Sequence, residues 1–136
     1  MLDRLTSTLN FQTEALVLRA ERQRLIASNI ANADTPGYVA RDMDFAAALR
    51  QAVGTGGTGA ASAVATTAPG HISNTVNGRP PVELNYAQPA QTNLDSNSVD
   101  MDRERANFAD NTVRYEATLR FINGSVKTML TAITGQ

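Results

Sequence analysis

Apolar residues gather into two ribbons at opposite ends of the chain. The first holds Leu2, Leu5, Leu9, Leu16, Ile26 and Ile30, with Gln12, Arg19 and Gln23 filling the same register. The second holds Met101, Phe108, Tyr115, Leu119, Ile122, Val126, Met129 and Ile133, with Arg105 and Thr112 between them. Steps of three and four alternate without a slip in both, which keeps one face of a helix turned toward a partner helix. The stretch between them lacks that pattern. The chain therefore reads as all-α, with two long terminal helices pairing in a coiled-coil-like bundle. Its irregular, partly disordered middle is expected to hold a short strand or hairpin. A helix of some 30 residues is about 45 Å long, too long to be covered by a domain this small. Much of each ribbon is thus predicted to be an assembly seam that meets another chain.

Local signals set the boundaries. The first helix is predicted from Leu2 to Ala33, since Gly and Pro are absent until Pro36. It stops at Asn32-Ala33-Asp34-Thr35-Pro36-Gly37-Tyr38, where the proline pushes Thr35 out of helical geometry. Pro36-Gly37 suits the two central positions of a type II turn. Asp44 is a predicted N-cap for a short helix through Phe45 and Leu49 to Val53. Gly54-Thr55-Gly56-Gly57-Thr58-Gly59 and the Ala/Ser/Thr run to Gly70 read as a flexible linker. Val82 to Tyr86 is a predicted strand within an extended loop. Ser98 is the expected N-cap of the second long helix, with Asp100, Asp102 and Glu104 near the positive end of its dipole. That helix is expected to run to Thr134 and stop at Gly135. Asn123-Gly124 does not break it, because the ribbon stays in phase from Ile122 to Val126. The organisation expected is 1–35 as an N-terminal axial helix, 36–97 as turn, short helix and loop, and 98–136 as a C-terminal axial helix, together one core domain.

Composition narrows the function. With 12 Lys+Arg against 13 Asp+Glu, the 136 residues carry a net charge of -1, which argues against a nucleic-acid footprint. There is no cysteine, which removes disulfides, thiolate nucleophiles and Cys-based metal sites. Asp3, Arg4, Glu14 and Arg19 interrupt the opening residues, so no secretory h-region is expected and any export would proceed without a cleaved signal.

Candidate chemistry is sparse. Gly54-x-Gly56-x-x-Gly59 matches a dinucleotide-binding spacing but lacks the strand before it and the helix after it. His71 is the only histidine and has no recognisable second ligand. Asp100, Asp102 and Glu104 suit helix capping better than paired-carboxylate catalysis. Arg19, Arg22 and Arg24, interleaved with Glu21, read as a solvated or inter-subunit salt-bridging face. No cofactor, metal or small-molecule substrate is expected, and no enzyme activity.

Two segments carry a resemblance. Ser28-Asn29-Ile30-Ala31-Asn32-Ala33-Asp34-Thr35-Pro36-Gly37-Tyr38 resembles the N-terminal signature of bacterial flagellar rod, hook and hook-associated proteins, with Asn29, Asn32, Thr35, Pro36, Gly37 and Tyr38 as its turn. Met1-Leu2-Asp3-Arg4-Leu5, Asn97 through Glu104, Lys127-Thr128-Met129-Leu130 and Gly135-Gln136 narrow it to subunits of the proximal rod. Ser96 departs from that pattern, which usually has Gly before the Asn. The resemblance implies helices from both termini packed in an axial tube that transmits torque. It implies export by the flagellar type III apparatus, a place in the periplasmic rod of the basal body, and partners among rod subunits, a FliE-type adaptor and the membrane ring. Phe45 and Leu49 resemble the Phe-x-x-x-apolar element by which early substrates dock on the FlhB export-gate component. The alternative reading is a free-standing coiled-coil adaptor that forms a small oligomer.

Overall fold

In the computed structural model, which describes residues 2–54, 83–86 and 94–135, both ribbons lie on long helices. Helix α1 (Leu2–Ala31) and helix α3 (Met101–Thr134) run the length of the molecule. Between them come strand β1 (Arg41–Met43), helix α2 (Phe45–Gly54) and strand β2 (Leu84–Tyr86). Asn29 of α1 meets Glu104 of α3, and Gln23 meets Asn111, so the two long helices are antiparallel. Helix α1 packs on α3 along one side and on α2 and β1 along another. The strands β1 and β2 pair antiparallel, Arg41 opposite Tyr86 and Met43 opposite Leu84.

The local reasons are visible at each boundary. Helix α1 tightens at its end, with Asn32 N–H shared between Ser28 and Asn29 carbonyls and Ala33 N–H on Ile30 O. It therefore stops at Ala31, two residues before the sequence expectation. Gly37 takes φ 72°, and Tyr38 N–H donates to Thr35 O at 3.2 Å, which is the predicted type II turn. Asp44 caps α2 as expected, its Oδ1 accepting from Ala46 and Ala47 N–H at 3.0 Å. Helix α3 passes unbroken through Asn123-Gly124 and ends on Gly135 at φ 73°.

One expectation needs correction. The N-cap of α3 is Asp100, not Ser98; Asp100 Oδ1 accepts from Asp102 and Arg103 N–H. Ser98 is occupied elsewhere, since its N–H donates to Tyr38 O and its hydroxyl accepts from Ala40 N–H. That extended pairing carries the chain two residues further before the helix can begin. Glu104 stands with Asp102 in the first turn of α3 as expected, and it is also buried against α1. Strand β1 had no expectation, because three residues are too few for a periodic signal.

The apolar core is small: Leu18, Met43 and Ala48, with Leu25, Phe45, Leu49 and Ala52 packed around them where α2 crosses α1. Along the α1–α3 seam, the buried positions of α3 are Glu104, Asn111 and Thr118, spaced by seven. Tyr115, Ile122 and Met129 lie half-buried beside them, while Leu119, Val126 and Ile133 face outward. The intramolecular seam is thus the polar edge of α3, and much of the apolar ribbon is uncovered.

Candidate functional site

The signature turn is held by a clasp of side-chain amides. Asn29, 1% exposed, uses its whole hydrogen-bonding capacity. Its Nδ2 donates to Arg41 O at 2.8 Å and Glu104 Oε2 at 3.2 Å, and its Oδ1 accepts from Arg41 N–H at 3.0 Å and the Tyr38 hydroxyl at 3.2 Å. One side chain therefore mimics a strand pairing to β1 and also ties α1 to α3. Asn97 does the same for the helix end. Its Nδ2 sits 2.8 to 2.9 Å from the carbonyls of Asn32, Ala33 and Thr35, and its Oδ1 accepts from Val99 N–H. Asn32 Nδ2 returns to Ser28 O, and Thr35 donates to Asn32 Oδ1. Gly37 N–H donates to Asp95 O at 2.8 Å, which completes the tie between the turn and the entry to α3. Pro36 and Gly37 themselves stand exposed at the tip.

A second polar layer lies further along the seam. Asn111 Nδ2 donates to Arg19 O and to Gln23 Oε1, and Gln23 Nε2 donates to Thr112 Oγ1 at 3.0 Å. Asn111 Oδ1 is buried without a hydrogen-bond partner among the described residues. Beside this layer the helices part around a groove of about 330 Å³ lined by Ala20, Gln23, Arg24, Ala27, Thr112 and Tyr115.

The arginine cluster divides its work. Arg22 pairs with Asp42 through Nε and Nη2 at 3.1 and 3.0 Å, fixing β1 on α1. Arg19 lies 4.5 Å above the Phe45 ring, and burial pushes its guanidinium pKa down, with Arg114 and Arg22 adding and Asp110 opposing. Arg24 is exposed. Glu104 shifts the other way: burial raises its carboxyl, the Asn29 hydrogen bond lowers it, and Asp42 raises it further.

The predicted seam residues are spread over both sides of the hairpin. Ile26 is buried inside it, and Leu9, Leu16, Ile30, Tyr115, Ile122 and Met129 are half-buried. Leu5, Phe108, Leu119, Val126 and Ile133 are exposed, Ile133 at 82%. The side chain of Leu2, the linker over 55–70, His71 and Val82 lie outside the described residues. Phe45 and Leu49 are half-buried on the core of α1 and α2. Sequence reasoning missed the inward roles of Glu104 and Asn111. The signal for them was the seven-residue spacing of Glu104, Asn111 and Thr118, one line over from the apolar ribbon.

Among the described residues no cluster of His, Cys, Asp or Glu has metal-binding geometry, and no helix is long and apolar enough to cross a membrane. What the fold presents is a clasped helix hairpin with an uncovered apolar ribbon, the form of a structural assembly subunit. Residues 9–38 match the family described as flagella basal body rod protein. The chain is 50% identical to flagellar basal body rod protein FlgB of Proteus mirabilis over 98% of both chains. It is 49% identical to the FlgB of Escherichia coli, over 98% of this chain and 97% of that one, and 42% identical to that of Cereibacter sphaeroides over 94% of each. The chain belongs to the FlgB family of flagellar basal body rod proteins. It is a structural subunit of the rod and not an enzyme, and its place is the flagellar basal body, where it assembles with other rod components.

Proposed function

We propose that this chain is an axial subunit of the proximal rod that polymerises through its terminal helices and carries torque along them. The observation that carries the reading is the uncovered ribbon on α3, where Leu119, Val126, Leu130 and Ile133 share one face and stay exposed. Apolar surface of that extent on a long helix is stabilised only when another helix covers it. In this reading residues 1–35 and 98–136 form the axial core and 36–97 the connection between them. The partners are copies of itself, other rod subunits, a FliE-type adaptor and the membrane ring, in the periplasmic rod. Export runs through the flagellar type III apparatus without signal cleavage. The free-standing adaptor reading has no comparable support, since the likeness to rod proteins runs nearly end to end.

Leu119→Asp tests the ribbon. A carboxylate desolvated against a neighbouring helix costs several kcal/mol, on the order of 3 to 5 when unpaired. Motility and rod growth should be lost while the soluble chain is still made, and Leu16→Asp should behave alike. Thr58→Asp, away from both ribbons, should swim. Normal swimming by the Leu119→Asp strain would refute the packing role.

The docking of Phe45 and Leu49 on the FlhB export gate belongs to the same proposal. Four residues apart on one helix, they suit a pair of anchors in an apolar groove. Both pack on α1 in the folded chain, so they are available to a gate only before α2 is seated. Replacing both by Ala should leave the chain in the cytoplasm of a strain that secretes rod subunits. Secretion at the wild-type level would exclude docking and leave packing as their role.

A further inference from the structure

The α1–α3 interface buries polar residues where apolar ones would have served stability better. Glu104 and Asn111 are 8% and 1% exposed; Glu104 accepts from Asn29 of α1, and Asn111 donates to the Gln23 side chain and the Arg19 carbonyl of α1. Asn111 Oδ1 is left without a partner among the described residues. Thr118, the next residue on the line, satisfies its hydroxyl on Arg114 O within α3. An apolar heptad ribbon is indifferent to a slip of seven residues, because every apolar position finds another one. The polar pairs are not indifferent. A slip of seven in one direction sets Asn111 against Ile30, and in the other against Leu16. Either slip takes Asn29 away from Glu104 and strands buried amides.

We propose that Asn29–Glu104 and Gln23–Asn111 form a register code that admits α1 to this face of α3 in a single antiparallel alignment. The same pairs make the face unattractive to other long apolar helices, so neighbouring subunits are directed to the Leu119–Val126–Ile133 side. The second half of this inference rests on the reading of the chain as a polymerising subunit; the first half concerns the soluble chain alone.

The chain has no cysteine, so engineered pairs report cleanly. The alignment set by Gln23 opposite Asn111 continues to place Gln12 opposite Ile122. Gln12→Cys with Ile122→Cys reads the native register, and Gln12→Cys with Met129→Cys reads a register slipped by seven. In the otherwise unchanged chain, mild oxidation should favour the native pair by at least about tenfold, the factor one stranded buried polar group corresponds to. Adding Glu104→Leu and Asn111→Leu should lower that preference at least several-fold, with the ties of Asn97, Gly37 and Ser98 to the end of α1 holding the remainder. The doubly substituted chain should also self-associate more strongly than the parent by light scattering at the same concentration. Should the double variant fail to fold, Asn111→Leu alone decides, with a several-fold drop in the native preference expected. An undiminished preference for the native pair in the folded variant would overturn the register code. A weakened native preference without added self-association would overturn the directing role alone, and neither result bears on whether the chain is a rod subunit.

Discussion

Ser96 is the one described non-glycine residue with positive φ, at 57°, in the turn that leads into α3. Its neighbours leave it no other choice: Asp95 O receives Gly37 N–H, and Asn97 is fixed by three carbonyls at the end of α1. A left-handed conformation costs a residue with a Cβ roughly 1 to 2 kcal/mol. Glycine escapes that cost but brings a more flexible unfolded chain, which offsets about 0.4 to 1 kcal/mol. Ser96→Gly should therefore stabilise the fold by about 0.5 to 1 kcal/mol net. For a chain of this size that is an increase of roughly 2 to 4 °C in Tm. Ser96→Ala removes the hydroxyl and keeps the Cβ, so it should fall close to the parent. Ser96→Val, β-branched, should be the least stable of the four. Urea and thermal unfolding followed by far-UV circular dichroism measure the series. A Gly variant no more stable than Ala, or a Val variant matching the parent, would rule out backbone strain at Ser96.

Other substitutions probe the clasp. Asn97→Ala should cost about 1 to 2 kcal/mol by removing the amide shared by the Asn32, Ala33 and Thr35 carbonyls, and Asn97→Asp should cost more, because a carboxylate would face three acceptors; urea midpoints rank them. Burial raises the Glu104 pKa above its ordinary value of 4.5, so its contribution is fully present below that pH and is lost as pH rises through the folded-state value. Glu104→Gln keeps an oxygen for Asn29 and does not ionise. Its stability advantage over the parent should therefore grow from pH 4.5 toward neutrality, and parallel pH profiles of the two would refute the assignment.

Long-range periodicity made the helices legible, and short-range chemistry made the turn legible. The ribbons located α1 and α3 to within a few residues, and Pro36-Gly37 and Asp44 announced their roles by residue type alone. Ser98 misled because a hydroxyl before a helix can cap it or bond elsewhere, and only the approach of residues 38–40 decides which. Glu104 stands in the first turn as its residue type suggested, but nothing local announces that it is buried there. Its burial depends on Asn29, 75 positions away. Helical phase was half legible. The Tyr115–Ile122–Met129 line borders the hairpin seam, but the ribbon could not reveal that α1 would take the polar edge beside it.

The clasp also fixes where the chain departs from the hairpin and where it returns. Gly37 is bonded to Asp95 and Ser98 to Tyr38, so two points far apart in sequence stand side by side at one end of the paired helices. Whatever lies between is a closed loop, and lengthening such a loop is cheap, about 0.6 kcal/mol for each doubling. The hairpin is thus a socket with a fixed mouth, and its axial contacts are insulated from the size of what it carries. A folded domain spliced in beyond α2 would hang from that mouth as cargo, with the helix register beneath it unchanged.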